Sequence, residues 1–166
     1  MSILKIFIVE DDAFTSALLK HQLELNPDNE VMQFTNGKDL LNALHIGPDL
    51  ILLDVMMPEM NGYEVFEILK KNPETAQIPV IFVTAKNEIE FELKALKSGA
   101  VDFINKPVIP EIVRARVKTH LTLRQQAQAL QRLNSQLESM VQERTQQVQA
   151  LNLALEQRAH QAESAN

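Results

Sequence analysis

The segment that determines the fold reads Asp49-Leu-Ile-Leu-Leu-Asp54-Val-Met-Met-Pro58-Glu-Met-Asn-Gly62. Residues 50–53 are a run of branched apolar residues that predicts a strand buried on both faces, because the run is too short for a helix. It ends at Asp54, and Asn61-Gly62 further on favours a positive-φ turn. Open α/β sheets place their chemistry at the carboxyl ends of their strands, so Asp54 is a candidate functional residue. For an isolated acid at this position, a helix or turn cap is the alternative explanation.

Composition narrows the class of protein. A chain of 166 residues is long enough for one domain with a core and an appendage. Its net charge of −6 argues against a nucleic-acid binder, which normally presents a basic face. The chain has no cysteine, no apolar run as long as the roughly 18 residues of a membrane span, and no signal-peptide pattern at its start. These features predict a cytoplasmic protein that binds neither nucleic acid nor a membrane.

Apolar periodicity predicts alternating strands and helices through the first two thirds of the chain. The predicted strands are residues 3–9, 30–34, 50–53, 78–83 and 101–105. The predicted helices are residues 13–25, 38–45, 62–71, 87–97 and 110 to about 164. The first helix is inferred from Phe14, Ala17, Leu18 and Leu25, which recur at helical spacing. Strands and helices in this order predict one five-stranded parallel sheet, doubly wound, with helices on both faces.

The segment after about Leu121 has a different composition. It is rich in Gln and carries a narrow apolar stripe three and four residues apart: Leu130, Leu133, Leu137, Met140, Val141, Val148, Leu151 and Leu155. Such a stripe is too narrow for a globular core and predicts a two-stranded coiled coil, with a single frayed helix as the alternative. The spacing slips between Leu137 and Arg144, which we interpret as a four-residue stutter. We therefore expect two domains, residues 1–121 and a helical extension at 122–166, and a homodimer formed through that extension.

Polar residues follow the predicted strands at their carboxyl ends, namely Glu10, Asp11, Asp12, Asp54, Thr84 and Lys106. In a parallel sheet these ends meet at one edge, where so many carboxylates would repel one another unless a divalent cation were bound. Hard oxygen ligands suit Mg²⁺, and the chain has no cysteine for a softer metal. A cation, a lysine and a strand-end aspartate together indicate an aspartate that accepts a phosphoryl group. Asp12 is assigned mainly to capping the first helix.

Residues 1–121 resemble the receiver domain of two-component response regulators. The motifs that carry the resemblance are Glu10-Asp11-Asp12, the segment from Asp54 to Gly62, Val83-Thr84-Ala85, and Asp102-Phe-Ile-Asn-Lys106-Pro107. Their order and their positions at strand ends make the match specific, although each motif alone is weak. The resemblance implies a flavodoxin-like fold whose last helix continues into a signalling coiled coil.

The resemblance also implies a role for each matching residue. Asp54 is expected to accept the phosphoryl group, and Lys106 to contact its oxygens. Asp11 and Asp54 would bind Mg²⁺ directly, Met56 through its backbone carbonyl, and Glu10 through water. Glu10 stands where the family more often has an aspartate, and its longer side chain makes indirect contact with the metal the expected one.

The same resemblance implies a switch. Thr84 is expected to move toward the phosphoryl group and Phe103 to fill the space behind it, although the family often has a tyrosine in place of Phe103. The Lys106-Pro107 bond is expected to be cis, which X-Pro bonds adopt at modest cost. A second, receiver-type interface would lie on the helix at 87–97, the fifth strand and the last helix, where Asp102 and Arg116 would pair between chains. The histidines, His21, His45, His120 and His160, show no ligand spacing and are interpreted as surface positions.

The function expected from these features is that of a response regulator phosphorylated by a histidine kinase or a phosphotransfer protein. It would not be an enzyme beyond its self-catalysed phosphoryl transfer and slow autodephosphorylation, and its dimeric extension would switch partner interactions. The alternatives are a constitutive coiled-coil adaptor with a non-switching receiver, and an N-terminal fragment of a larger protein with a kinase or cyclase module. A haloacid-dehalogenase-like phosphatase needs a second aspartate where Met56 stands, and a dinucleotide-binding domain needs a Gly-rich loop after the first strand.

Overall fold

The structure is a computed structural model, and it describes residues 2–85, 93–94 and 96–165. The chain divides into two compact units, unit 1 at Met1–Arg124 and unit 2 at Gln125–Asn166. Within the described residues, every helix is too short or too polar to cross a membrane.

Unit 1 is built on a five-stranded sheet, as predicted. The strands are β1 (Leu4–Val9), β2 (Asn29–Phe34), β3 (Leu50–Asp54), β4 (Val80–Thr84) and β5 (Asp102–Asn105). All neighbouring pairs are parallel, in the order β2-β1-β3-β4-β5. The strand with the uninterrupted apolar run, β3, lies at the centre, and each of its residues is buried. The register places Asp54 beside Val83 and Thr84 beside Asn105, so the strand ends form one edge.

Four helices are described over their full length: α1 (Ala13–Glu24), α2 (Gly37–Asn42), α3 (Gly62–Lys71) and α4 (Pro110–Ser164). The predicted second helix is shorter than expected because a 3-10 turn, Leu44–Ile46, replaces its end before Gly47 at φ 80°. The predicted helix at 87–97 has residues 87–92 and 95 outside the described residues. Its described residues Leu93, Lys94, Leu96 and Lys97 are helical, and Gly99 after them has a positive φ of 101°, which suits glycine at the end of a helix.

The two faces of the sheet carry separate apolar cores. One joins Phe7, Ile51 and Leu53 to Leu40 of α2 and to Val65, Phe66 and Leu69 of α3. The other core joins alternate strand residues such as Ile6, Ile8 and Leu52 to Leu19 and Leu23 of α1 and to Val113, Val117 and Leu121 of α4. Helices therefore cover both faces of the sheet, which confirms the doubly wound prediction. Each fully buried side chain contributes on the order of 1.5–3 kcal/mol.

The apolar residues that predict α1 are not the residues it buries. Phe14 is 77% exposed and Leu25 58% exposed, whereas Ser16, Leu19 and Leu23 are buried. The buried face contains a small polar residue, Ser16, whose hydroxyl accepts a hydrogen bond from the Gln33 side chain of β2 at 2.9 Å. A polar residue in the buried stripe hides that stripe from a pattern search based on apolar spacing alone.

The expected positive-φ turn at Asn61-Gly62 is wrong. Asn61 has φ −77° and caps α3, accepting a hydrogen bond from the Glu64 backbone at 3.0 Å. The positive φ lies at Glu59 (68°), inside a tight turn in which the Met60 N–H donates to the Pro58 carbonyl at 2.8 Å. Gly62 is required for a different reason, because a Cβ there would lie 2.3 Å from the backbone oxygen of Asp54.

Unit 2 is the remainder of α4, and it is helical from Gln125 to Ser164. Every residue from 129 to 165 is exposed, including the whole predicted stripe. The helix is the part of the coiled-coil prediction that the structure shows, and the pairing of two such helices stays a prediction.

Candidate functional site

Four of the predicted site residues lie at or just beyond the ends of their strands. Asp54 ends β3 and Thr84 ends β4, while Glu10 follows β1 and Lys106 follows β5. Asp54 and Glu10 are each only 2% exposed, and Thr84 is 5% exposed. Since all strands run in parallel, residues from distant parts of the sequence meet at one edge of the sheet.

Lys106 contacts two of the acidic side chains. Its Nζ lies 2.6 Å from Glu10 Oε1 and 3.3 Å from Asp54 Oδ2, while its side chain is 22% exposed. The Lys106 N–H donates to the Thr84 carbonyl at 2.7 Å, which anchors the end of β5 to the end of β4 and so positions the side chain. The Lys106-Pro107 bond is cis, as predicted. A cation that touches both carboxylates is placed to contact any anion bound at Asp54.

Three carboxyl groups form a cluster beside Lys106. Oxygen atoms of Glu10, Asp11 and Asp54 all lie within 4.8 Å of one another. Glu10 Oε2 is buried, and no donor in the described part of the chain reaches it. A buried oxygen without a donor, next to two further carboxylates, is suited to a hard divalent cation or to a water bound by one. The donor set therefore fits Mg²⁺.

The crowding of like charges changes the acidity of the cluster. Burial first, and then a hydrogen bond to Asp54, raises the pKa of Glu10 from 4.5 to about 8, despite the opposing effect of Lys106. Partial burial and the same aspartate also raise the pKa of Asp11. Burial alone would lower the pKa of Lys106, but its hydrogen bond to Glu10 and the charges of Asp54 and Glu10 outweigh burial and raise it. The raised pKa values of Glu10 and Asp11 show that this cluster disfavours their charged forms when no metal ion is bound.

The loop after β3 is held close to the site by backbone contacts. The Val55 N–H donates to the Val83 carbonyl at 3.2 Å, and the Gly62 N–H donates to the Val55 carbonyl at 2.9 Å. The Met56 N–H donates to Asp54 Oδ1 at 3.2 Å, so the Met56 peptide adjoins the carboxylate while its side chain is 56% exposed. The backbone of Met56 therefore lies beside Asp54, and metal binding by its carbonyl stays a prediction.

Asp12 differs from its two acidic neighbours. It caps α1, accepting a hydrogen bond from the Thr15 backbone at 3.0 Å and another from the Thr15 hydroxyl. These hydrogen bonds lower the pKa of Asp12. Asp12 lies outside the carboxylate cluster formed by Glu10, Asp11 and Asp54.

A second polar group lies on β5 and α4, where His120 joins Asp102 and Arg116, the pair that the sequence predicted between chains. Asp102 accepts from Arg116 at 3.2 Å and contacts His120 Nε2 at 3.0 Å. Arg116 also donates to the carbonyl oxygen of Phe103 and lies over its ring, 5.7 Å from the centroid. The side chain of His120 is only 15% exposed, so its interpretation as a surface position is wrong. The sequence does contain an indication of this group, since Arg116 and His120 are four residues apart and so lie on one face of the helix.

Two of the expected functional arrangements remain predictions. Asp102 and Arg116 pair here within one chain, so their pairing between chains is not shown. Phe103 is half-buried against the core on the α3 face and lies beside Phe82 in the register of β4 and β5. Thr84 is buried at the neighbouring strand end. Thr84 directly follows Val83, the neighbour of Asp54 in the register, and a movement of Thr84 or Phe103 stays a prediction.

Comparisons with known proteins agree with this geometry. The family model described as the response regulator receiver domain matches residues 6–118. The chain is 35% identical over 137 residues to the cyclic di-GMP phosphodiesterase response regulator RpfG of Xanthomonas campestris, covering 81% of this chain and 36% of that protein. It is 36% identical over 118 residues to the phosphate regulon transcriptional regulatory protein PhoB of Rhizobium meliloti, covering 70% of this chain and 52% of that one. The chain therefore spans less than two thirds of these relatives.

Solved structures show the same similarity. The signal receiver domain of a signal transduction histidine kinase from Syntrophus aciditrophicus is 37% identical, with a TM-score of 0.64. That alignment covers 71% of this chain and 89% of the solved one. The Mn²⁺-bound form of the response regulator Rcp1 is 24% identical, with a TM-score of 0.61. That alignment covers 68% of this chain and 90% of the Rcp1 chain, and it supports the fold.

Proposed function

Because the chain belongs to the family of response regulator receiver domains, we propose that it is phosphorylated on Asp54 by a histidine kinase or a phosphotransfer protein. The observation that carries this proposal is the position of Asp54, which is buried, ends the central strand, and lies 3.3 Å from the Lys106 ammonium. Receiver homologues are response regulators of two-component systems, and this site has the groups that phosphoryl acceptance requires.

The proposed chemistry is one phosphoryl transfer and its reversal by water. An Asp54 oxygen attacks the phosphorus of a phosphohistidine, a P–O bond forms, and the P–N bond breaks, with its electrons returning to the imidazole. Lys106 offsets the charge on the phosphoryl oxygens, and Thr84 donates a hydrogen bond to one of them. Hydrolysis by water later releases inorganic phosphate and restores the carboxylate. The chain has no other catalytic role in this proposal.

The carboxylate cluster supplies the metal site in the same proposal. Asp11 and Asp54 would bind Mg²⁺ directly together with the backbone carbonyl of Met56, and Glu10 would bind it through water. The ion supplies positive charge that offsets the charge of the incoming phosphoryl group. The support for this assignment is the clustering of the three carboxyl groups and the buried Glu10 oxygen without a donor.

Output is proposed to pass through the last helix. Phosphorylation moves Thr84 and then Phe103, whose carbonyl and ring both contact Arg116 on α4. The helix that carries Arg116 continues to Ser164 and presents the stripe at Leu130, Leu133, Leu137, Val148, Leu151 and Leu155, through which two chains would form a dimer. A receiver interface that includes Asp102 and Arg116 would add to this contact after phosphorylation.

A second candidate is a regulatory segment of a larger signalling protein. The observation that favours it is the length of the relatives, since this chain covers 36% of RpfG and 52% of PhoB. In that case a separate output module, such as a kinase or a cyclase, would carry the final activity. The sequence that follows Asn166 in the natural gene distinguishes the two candidates. A constitutive adaptor is less well supported, because Asp54, Thr84 and Lys106 are all in place.

The proposal is tested by phosphorylating the full chain with acetyl phosphate and Mg²⁺. Intact mass should show one added phosphoryl group, and Asp54→Asn should abolish the addition. Asp12→Asn is the matched control, because it makes the same substitution at a neighbouring acid that caps α1 and lies outside the cluster. Full labelling of the Asp54→Asn variant would show that the acceptor has been assigned incorrectly.

A further inference from the structure

We propose that unit 2 joins two copies of this chain in parallel and in register, through an uninterrupted heptad repeat in which Asn134 lies opposite Asn134 of the partner subunit. The inference rests on the dimeric extension of the proposed function and names its geometry. It also replaces the stutter between Leu137 and Arg144 with a continuous repeat.

The surface that requires a partner is fully exposed in the single chain. Leu130 is 67% exposed, Val141 64% and Leu151 60%, and every residue from 129 to 165 is exposed. An isolated helix with this much apolar surface is marginal in water, because its stability normally comes from burying one face. A second helix with the same stripe offers that burial.

The stripe follows one repeat without a break when it is counted from Leu123. Steps of four and three residues run through the whole of unit 2, so the period is 3.5 residues, as in a left-handed coiled coil. The first set of positions, which corresponds to d, contains Leu123, Leu130, Leu137, Arg144, Leu151 and Arg158. The second set, which corresponds to a, contains Ala127, Asn134, Val141, Val148, Leu155 and Ala162.

The residue types in the two sets differ in the way a two-stranded coiled coil requires. Leucine dominates the d positions, whereas the a positions contain the β-branched residues Val141 and Val148. Leucine at d with a β-branched residue at a favours two strands over three or four. A single asparagine at an a position specifies register and a two-stranded state at some cost in stability, and Asn134 occupies such a position.

The stuttered register competes for the same helix face. It places Leu133 and Met140 in the interface and Asn134 outside it, and it then needs four extra residues before Val148. In the continuous register Leu133 and Met140 take g positions, where they flank the interface and still cover it partly. Only the continuous register both places Asn134 at an a position and keeps the alternation of three and four residues unbroken.

One antiparallel alignment of the two helices, which pairs their polar positions, conflicts with unit 1. An antiparallel pair can place Asn134 opposite Arg144 of the partner subunit. In that alignment the partner's residue 156 lies beside residue 122, and its residue 165 lies beside residue 113. The same helix face there holds Val113, which is 1% exposed, and His120, whose side chain is 15% exposed, so the chain's own sheet already covers it. A parallel pair avoids this conflict along its whole length.

Charges beside the interface permit the parallel arrangement. In a parallel pair, each g position lies near the e position five residues later in the partner. The g positions in unit 2 are Gln126, Leu133, Met140, Gln147, Ala154 and Gln161, none of which is charged. Arg144 and Arg158 do lie opposite their counterparts, but a long arginine side chain can extend along the helices and keep its guanidinium in water, which weakens the repulsion.

The absence of cysteine from the chain makes the test direct, because each introduced cysteine is the only one present. Single substitutions Arg132→Cys, Leu133→Cys, Asn134→Cys and Leu137→Cys are made in the full chain, and disulfide formation is followed under mild oxidation. A disulfide requires Cα atoms about 4.4–6.8 Å apart, a distance that facing a or d positions of a parallel pair satisfy. We expect Asn134→Cys and Leu137→Cys to form covalent dimers at least about tenfold faster than Arg132→Cys, which points outward at an f position.

Each other result contradicts a defined part of the inference. Faster cross-linking at Leu133→Cys than at Asn134→Cys would contradict the continuous repeat and support the stuttered register. If the chain sediments as a dimer but neither Asn134→Cys nor Leu137→Cys forms a disulfide, the parallel arrangement is contradicted in favour of an antiparallel one. If the chain sediments as a monomer, the proposed dimer itself is contradicted. Phosphorylation at Asp54 is measured separately and is unaffected by any of these outcomes, so failure of the register and failure of the receiver function are distinguishable.

Discussion

In unit 1 the apolar residues of β3 are completely buried, whereas the leucines of unit 2 that lie beyond Gln128 are 48–67% exposed. Unit 1 therefore buries its own apolar residues in two cores, one on each face of the sheet. Unit 2 is a regular helix whose apolar stripe is exposed in the part of the chain that the structure describes. The contrast indicates that unit 1 buries its own core, while the proposed pairing would make the stability of unit 2 depend on the concentration of the chain.

The largest expected effect is on association. The full chain should sediment at twice its 18.8 kDa mass at micromolar concentration even when unphosphorylated, because several buried leucines outweigh the entropic cost of pairing. A micromolar dissociation constant corresponds to about 8 kcal/mol. A chain shortened to end at Arg124 should be mainly monomeric until it is phosphorylated. If the full chain sediments as a monomer, the coiled-coil interpretation is contradicted.

The second effect compares one leucine from each unit. Leu52→Ala removes a fully buried side chain of β3 and should lower the free energy of unfolding of unit 1 by about 2–5 kcal/mol. Leu151→Ala should leave that transition within about 0.5 kcal/mol and weaken dimerisation instead.

Urea unfolding measures both effects with probes that the chain already has. The single tyrosine, Tyr63, packs against Phe82 in unit 1 and reports on that unit alone, while circular dichroism also follows the helix of unit 2. An equal change in the Tyr63 transition for the two variants would contradict the independence of unit 1.

The third effect is a dependence of the stability of unit 1 on pH. Because burial and Asp54 raise the pKa of Glu10 from 4.5 to about 8, the folded protein holds this proton over a pH range in which the unfolded chain has lost it. Without Mg²⁺, the free energy of unfolding should therefore fall as pH rises from about 4.5 to about 8. Mg²⁺ binding should release a proton and flatten the curve.

Glu10→Gln tests the cause of this dependence, because the amide cannot titrate. Its unfolding free energy in metal-free buffer should vary less with pH than that of the unaltered chain. A variant with the same slope would assign the dependence to another group.

The smallest effect separates two adjacent acids. Asp12→Ala removes the cap of α1 and should cost about 1 kcal/mol while Mg²⁺ binding is retained. Asp11→Ala should weaken Mg²⁺ binding, and in metal-free buffer it should preserve or raise stability because it relieves repulsion in the cluster. Calorimetric titration with Mg²⁺ and thermal unfolding distinguish the two, and equal losses of binding would contradict the division of roles.

The sequence predicts well the features that depend on uninterrupted patterns. The apolar run before Asp54 identifies the central strand, and the polar residues after each strand identify the edge where Glu10, Asp54 and Lys106 meet. Parallel strands bring such residues together whatever the details of the connecting loops. The general position of the site therefore follows from the order of the elements alone.

The errors occur where a contact with another element decides the outcome. The buried face of α1 depends on Ser16 meeting Gln33 of β2, which apolar spacing does not reveal. Gly62 is explained by the approach of the Asp54 backbone, not by its own φ. His120 is covered because Asp102 lies next to it in space, 18 residues away in the chain. Each of these depends on tertiary distance, which a local pattern does not contain.

The hydrogen bond between Lys106 and Glu10 joins residues 96 positions apart. A chain that is still being synthesised has no such contact until its fifth strand has emerged and paired with the fourth. The acceptor aspartate is present much earlier, but its cationic partner is not. Under the proposed function, the capacity to receive a phosphoryl group would therefore arise only once the whole sheet has formed.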